Sequence, residues 1–167
     1  DSDPQERPIT IVTHFELDHD KEKIAELIDV ISLNRYFAED ISIEGLVKTA
    51  DVLTKEFAQW NEKFPGKPIF MSEYGLDSDS GMKALKDEIF TDDYQVQFLE
   101  MYHKIFDQHD LFIGEHIWNF ASDQKVFDIH ENAKDIFSLE GIPKGTALEL
   151  KKRWENIPNF HYKKNSK

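Results

Sequence analysis

Apolar residues along this chain follow two alternating rhythms. Short apolar runs end in polar residues, and each run leads into a stretch whose apolar positions return every third or fourth residue. The first run is Ile9-Thr10-Ile11-Val12-Thr13-His14, followed by a helical stretch from about Lys21 to Leu27. The second is Val30-Ile31-Ser32-Leu33-Asn34-Arg35-Tyr36. Its helix is predicted from about Ile43 to Phe64, with Leu46, Val47, Ala50, Leu53, Phe57 and Trp60 at three- and four-residue steps, and Pro65-Gly66 stops it. The third run, Lys67-Pro68-Ile69-Phe70-Met71-Ser72, ends on Glu73-Tyr74-Gly75. Its helix starts near Thr91, a suitable N-cap with Asp92 and Asp93 in the first turn, and turns Tyr94, Phe98, Met101, Tyr102 and Ile105 inward. The fourth run spans Leu111 to Phe120; a long polar loop follows, then a last helix from about Thr146 to Asn156.

Strands that alternate with helices pair in parallel through right-handed crossovers, so the fold class is α/β. Four such units make half of a closed TIM (β/α)8 barrel, which needs eight strands and typically about 250 residues. An open four-stranded sheet is the alternative. Thr13-His14-Phe15-Glu16 stands where a nucleotide-binding open sheet would carry a glycine-rich phosphate loop, which disfavours that reading.

Composition narrows the function. A chain of 167 residues, 40% hydrophobic and with 13 Phe, can bury the core of one domain, taken as 1–167. A net charge of −13 argues against nucleic acid as a partner, since phosphate binding draws on clustered Lys and Arg. No run is apolar enough for a membrane span, so no membrane partner is expected. Zero cysteines exclude disulfides and thiolate metal sites and fit a reducing compartment. No spacing of His and carboxylates suggests a metal on a helix, and no cofactor is implied.

Glu73 is the sharpest chemical feature. A carboxylate at the carboxyl end of a buried strand is costly to desolvate unless it is used, and strand ends of this kind carry catalytic groups in α/β folds. The structural alternative is an ion pair with a neighbour such as Arg35. Trp118 and Tyr36 could likewise be core aromatics, and Asn132 and Lys134 ordinary loop residues.

Taken together, Asn34-Arg35-Tyr36, Ser72-Glu73-Tyr74-Gly75, Asp92 to His103, Gly114-Glu115-His116-Ile117-Trp118-Asn119-Phe120, Asn132-Ala133-Lys134 and Lys151-Lys152-Arg153-Trp154 resemble the C-terminal half of the catalytic barrel of the β-glucuronidases of glycoside hydrolase family 2. The resemblance covers nearly the whole chain in order. It implies a retaining β-glycosidase in which Glu73 is the nucleophile and Tyr36 lies beside it. Trp118 would form part of the sugar pocket with Asn34 and Arg35, and Asn132 and Lys134 would hold the glucuronate carboxylate. A lysine ammonium beside an asparagine amide suits a uronate because it joins charge to directed donors. The family also implies cytoplasmic localisation, and a possible homo-oligomer.

A retaining glycosidase needs a second carboxyl about 5 Å from the nucleophile. In the family it belongs to an Asn-Glu pair at the end of barrel strand four, upstream of the segment this chain matches. Asn61-Glu62 lies near a helix end and is no substitute, while Glu115 is a rival with a structural alternative as an in-strand residue facing a partner. The expectation is a chain inactive alone, whose partner is the N-terminal half of the same enzyme. A non-catalytic carbohydrate-binding or self-associating module derived from that barrel is the other reading. Two departures from the family pattern, Phe37-Ala38-Glu39-Asp40 after Tyr36 and Ser122 after Ala121, leave a β-galactoside open as substrate beside a β-glucuronide.

Overall fold

The computed structural model describes residues 3–14, 21–37, 42–76, 92–121, 134–138 and 140–157. Four strands, β1 (Thr10–Thr13), β2 (Val30–Arg35), β3 (Ile69–Tyr74) and β4 (Phe112–Ile117), form one sheet. They lie in sequence order and every neighbouring pair is parallel. Three helices, α1 (Ile43–Lys63), α2 (Asp92–Asp107) and α3 (Gly145–Asn156), complete the described elements apart from one short 3-10 turn. Right-handed crossovers that all step the same way along a sheet put every helix on one face, as in a barrel wall. A doubly wound open sheet would instead reverse its order at a switch point. The chain is therefore part of an α/β barrel.

Helix α1 begins where Ser42 accepts a hydrogen bond on its Oγ from the Gly45 N–H at 2.9 Å, with Glu44 in the positive first turn. It ends at Pro65-Gly66, where Gly66 takes φ +76°, a left-handed value that costs glycine nothing. The expected apolar stripe holds except at one position: Leu53, Phe57 and Trp60 are wholly buried, with Leu46 and Ala50 packed beside them, while Val47 is 59% exposed because it falls one step off that face. Phe98, Tyr102, Ile105 and Phe106 of α2 and Leu150 of α3 join them over the outward sheet residues Ile31, Leu33, Ile69, Met71 and Phe112. Aromatic stacking organises this layer, with Phe106 on Phe112 at 4.1 Å between centroids and Phe57 on Phe112 at 6.1 Å. Each buried Phe of this kind contributes about 2–3 kcal/mol by removal from water.

The helix expected over Lys21 to Leu27 is only a 3-10 turn, Ile24–Glu26. Its carbonyls are engaged elsewhere: Lys63 Nζ donates to Glu22 O at 3.1 Å, and Lys67 Nζ donates to Ala25 O and to Ile28 O. Backbone acceptors bonded to lysines in this way do not go on to build an α-helical ladder. The Thr91 cap expected for α2 lies outside the described residues.

Two bulges decide which way the strand-end side chains point. Between β2 and β3, Leu33 pairs with Met71 but Asn34 pairs with Glu73, so Ser72 is an extra residue. Between β3 and β4, Ile69 pairs with Phe112 but Phe70 pairs with Gly114, so Ile113 is extra. Each extra residue inverts the alternation beyond it.

Candidate active site

The face of the sheet away from the helices carries the candidate chemistry. Successive residues of β2 alternate, so Ser32 and Asn34 share this inner face, with Tyr36 just past the strand end reaching Glu73 there, while Ile31, Leu33 and Arg35 point to the helices. The Ser72 bulge adds Glu73 to the inner face. Ser72 Oγ lies 2.8 Å from Asn34 Oδ1, and the Tyr36 hydroxyl donates to Glu73 Oε2 at 2.5 Å. Oε1 of Glu73 has no hydrogen-bond partner among the described residues.

Lys134 enters from the far side of the chain. Its Nζ stands 5.7 Å from the centroid of the Tyr36 ring, within range of a cation–π contact. Backbone pairing brings it there: Asn119 N–H donates to Lys134 O at 3.4 Å, and Ile136 N–H donates to Asn119 O at 3.1 Å. Gln95 of α2 is buried, and its Nε2 donates to Leu76 O at 2.7 Å and to Lys134 O at 3.5 Å. It ties the exit of β3 to the Lys134 segment. Tyr36 therefore stands between the Glu73 carboxylate and the Lys134 ammonium, bonded to one and beneath the other.

Trp118 closes the next strand end. Its backbone N–H donates to Tyr74 O at 2.8 Å, and the residue is 47% exposed. The Trp118-Asn119 peptide is cis. Gly75 is required by this approach, since a Cβ there would lie 2.2 Å from Trp118 O. Below Glu73 on the same face, Phe70 meets the edge of the His116 ring at 4.7 Å.

Two other residues face away from this group. Arg35 is 1% exposed on the helix side, where its Nε donates to Glu56 Oε1 and Oε2 of α1 at 2.7 and 2.9 Å and its Nη1 to Thr13 O and Asn34 O at 3.0 and 2.9 Å. Glu73 is thus not the partner of Arg35. Glu115, sent outward by the Ile113 bulge, receives Arg153 through Nε at 2.7 Å and Nη2 at 3.0 Å and Trp154 Nε1 at 3.0 Å. Asn61 and Glu62 lie in the last turns of α1, at the opposite end of the sheet from Glu73. Asn132 lies outside the described residues. Glu73, Tyr36, Asn34, Lys134 and Trp118 are brought to one end of the sheet; Arg35 supports them from behind.

Gln95 and Gly75 were not singled out by sequence reasoning. Gly75 could have been, because a glycine directly after a strand-end carboxylate signals a close approach of backbone. Gln95 left no such mark: a glutamine in the first turns of a helix reads as solvent-facing.

Residues 2–159 match the family described as glycosyl hydrolases family 2, TIM barrel domain. The β-glucuronidase of Streptococcus agalactiae is 37% identical over 169 residues, spanning 99% of this chain and 28% of that protein. Among solved structures, the Lactobacillus rhamnosus β-glucuronidase superposes with a TM-score of 0.83 at 30% identity, covering 93% of this chain and 27% of the other. The Bifidobacterium dentium β-glucuronidase complexed with coumarin-3-O-glucuronide superposes with a TM-score of 0.82 at 32% identity, covering 97% and 26%. The chain thus spans about a quarter of the length of the relatives it matches.

Proposed function

We propose that this chain, which belongs to glycosyl hydrolases family 2 through its match to the TIM barrel domain, supplies the nucleophile half of a retaining β-glucuronidase site. The observation that carries the reading is the grouping of Glu73, Tyr36 and Lys134 on the inner face of the sheet, beside the exposed Trp118.

In the mechanism, the Glu73 carboxylate attacks the anomeric carbon as the bond to the leaving oxygen breaks. A second carboxyl donates a proton to that oxygen, then takes one from the water that hydrolyses the glycosyl ester. No second carboxylate joins Glu73 among the described residues, because Glu115 is committed to Arg153 on the other face. In this reading the acid/base is supplied by an upstream barrel half, and residues 1–167 alone should be inactive. Tyr36 holds one oxygen of the nucleophile so that the other faces the sugar. Lys134, with Asn132, pairs with the substrate carboxylate, which favours a glucuronide over a neutral galactoside. Asn34, fixed by Ser72, lines the floor.

The test joins residues 1–167 to the remainder of the Streptococcus agalactiae relative in place of its matching stretch. The assembled protein should hydrolyse an aryl β-glucuronide, with Glu73→Gln lowering kcat by at least about a thousandfold. Lys134→Ala should raise KM for the glucuronide far more than for the galactoside. Full activity in Glu73→Gln, or equal turnover of both sugars before and after Lys134→Ala, would contradict the reading.

A further inference from the structure

Behind the inner face, the residue that follows Glu73 is held by a chain of polar contacts reaching to α3. Tyr74 is wholly buried on the helix side, its ring 5.5 Å from that of Tyr102 and edge-on to Phe106 at 5.3 Å. Its hydroxyl lies 2.9 Å from His103 Nε2 of α2. His103 Nε2 in turn lies 3.9 Å from Glu115 Oε1 on β4. Glu115 holds Arg153 of α3, whose guanidinium also reaches Asp107 at 3.1 and 3.2 Å.

The hydrogen bonds of Tyr74 make it a joint. Its backbone is continuous with the Glu73 backbone, its carbonyl accepts the Trp118 N–H, and its hydroxyl is tied to α2. One residue therefore sets the nucleophile and the aromatic platform relative to each other and to the helical layer. The pair does not titrate in use. Burial holds the His103 imidazole down to about 3, with the Arg153 charge acting in the same sense, and burial raises the Tyr74 phenol well above its ordinary range. A neutral hydrogen bond in a dry site does not loosen with ordinary changes of pH, which suits a fixed spacer.

We infer that Tyr74 and His103 are a positioning pair: they act on the reaction through Glu73 and Trp118, by fixing the separation of nucleophile and sugar platform. The inference rests on the reading of Glu73 as nucleophile. Neither residue touches substrate, so losing the hydroxyl should leave ground-state binding nearly intact and penalise the chemical step, where misplacement by about 1 Å can cost about a hundredfold.

The experiment uses the assembled enzyme described above. Tyr74→Phe should lower kcat by about ten- to a hundredfold with KM changed by less than about threefold. The rate at which 2-deoxy-2-fluoro-β-glucuronyl fluoride labels Glu73, a step that needs no acid catalyst, should fall in the same proportion. His103→Gln, which keeps a hydrogen-bonding amide in place, should retain more of both rates than His103→Leu. Wild-type kcat and labelling rate in Tyr74→Phe would overturn the inference, as would equal rates in the Gln and Leu variants. If the assembled wild type shows no turnover, the glucuronidase reading falls on that result alone. The pair is then judged by crystal structures of wild type and Tyr74→Phe: displacement of Glu73 against Trp118 by about 1 Å upholds it, and superposable strand ends reject it.

Discussion

Arg35 stands between Asn34 and Tyr36 in sequence, yet its guanidinium lies on the opposite side of the sheet from both, because successive strand residues alternate faces. It is buried with Glu56, and its bonds to Thr13 O and Asn34 O lock the ends of β1 and β2 together. Breaking a buried pair of this kind by removing one partner costs about 3–5 kcal/mol, because the other charge is left uncompensated. Arg35→Met should therefore destabilise the chain by about that amount in urea denaturation, and the double variant Arg35→Met with Glu56→Leu should recover part of it. At Gly75 the constraint is steric: Gly75→Ala drives a methyl into Trp118 O and should cost about 1–3 kcal/mol. His103 gives a signed pH dependence. It faces Tyr74 from β3, Glu115 from β4 and Arg153 from α3, and shares α2 with Asp107. Its folded value is held down to about 3 while the unfolded imidazole titrates near 6.5, so the unfolded chain binds the extra proton between these values. The contribution is present in full above about pH 6.5 and is lost as pH falls toward 3, at up to about 1.4 kcal/mol per unit. Melting curves from pH 7 to 4 should accordingly be flatter for His103→Gln than for wild type.

At the scale of elements, the strands, the three long helices and their order were legible because hydrophobic period and length agree for each, and the apolar stripe of α1 falls where its spacing puts it apart from the exposed Val47. The Lys21 to Leu27 stretch was misread as a helix because lysines from α1 and the start of β3 take its carbonyls, a tertiary contact that local pattern does not carry. The bulges are the more instructive gap. Without the extra Ile113, strict alternation would turn Glu115 to the inner face beside Glu73, and the two carboxylates would look like a catalytic pair. With it, Glu115 goes to Arg153. The place of Glu73 and Tyr36 at strand ends was readable from the pattern, while the assignment of faces needed the register. Phe112, which anchors β4 against Phe57 and Phe106, should be costly to truncate: Phe112→Ala is expected to lose about 3–5 kcal/mol, read from the shift in denaturation midpoint.

The molecule as a whole presents a sheet whose described strands leave β1 and β4 each with one unpaired edge. Apolar residues are exposed beside both edges, with Ile9, Ile11 and Val12 at one and Ile113 and Phe120 at the other. Such edges invite pairing with further strands, and a closed barrel abolishes them. The chain alone should therefore self-associate in sedimentation as its concentration rises, and a complementary barrel half should replace that association with a defined complex. The most direct measurement is mass spectrometry of the assembled enzyme after reaction with 2-deoxy-2-fluoro-β-glucuronyl fluoride. One glycosyl adduct per chain is expected, on the peptide carrying Ser72-Glu73-Tyr74-Gly75 and absent in Glu73→Gln. An adduct on Glu115, or an unmodified Glu73 in an enzyme that still turns over glucuronide, would contradict the nucleophile assignment.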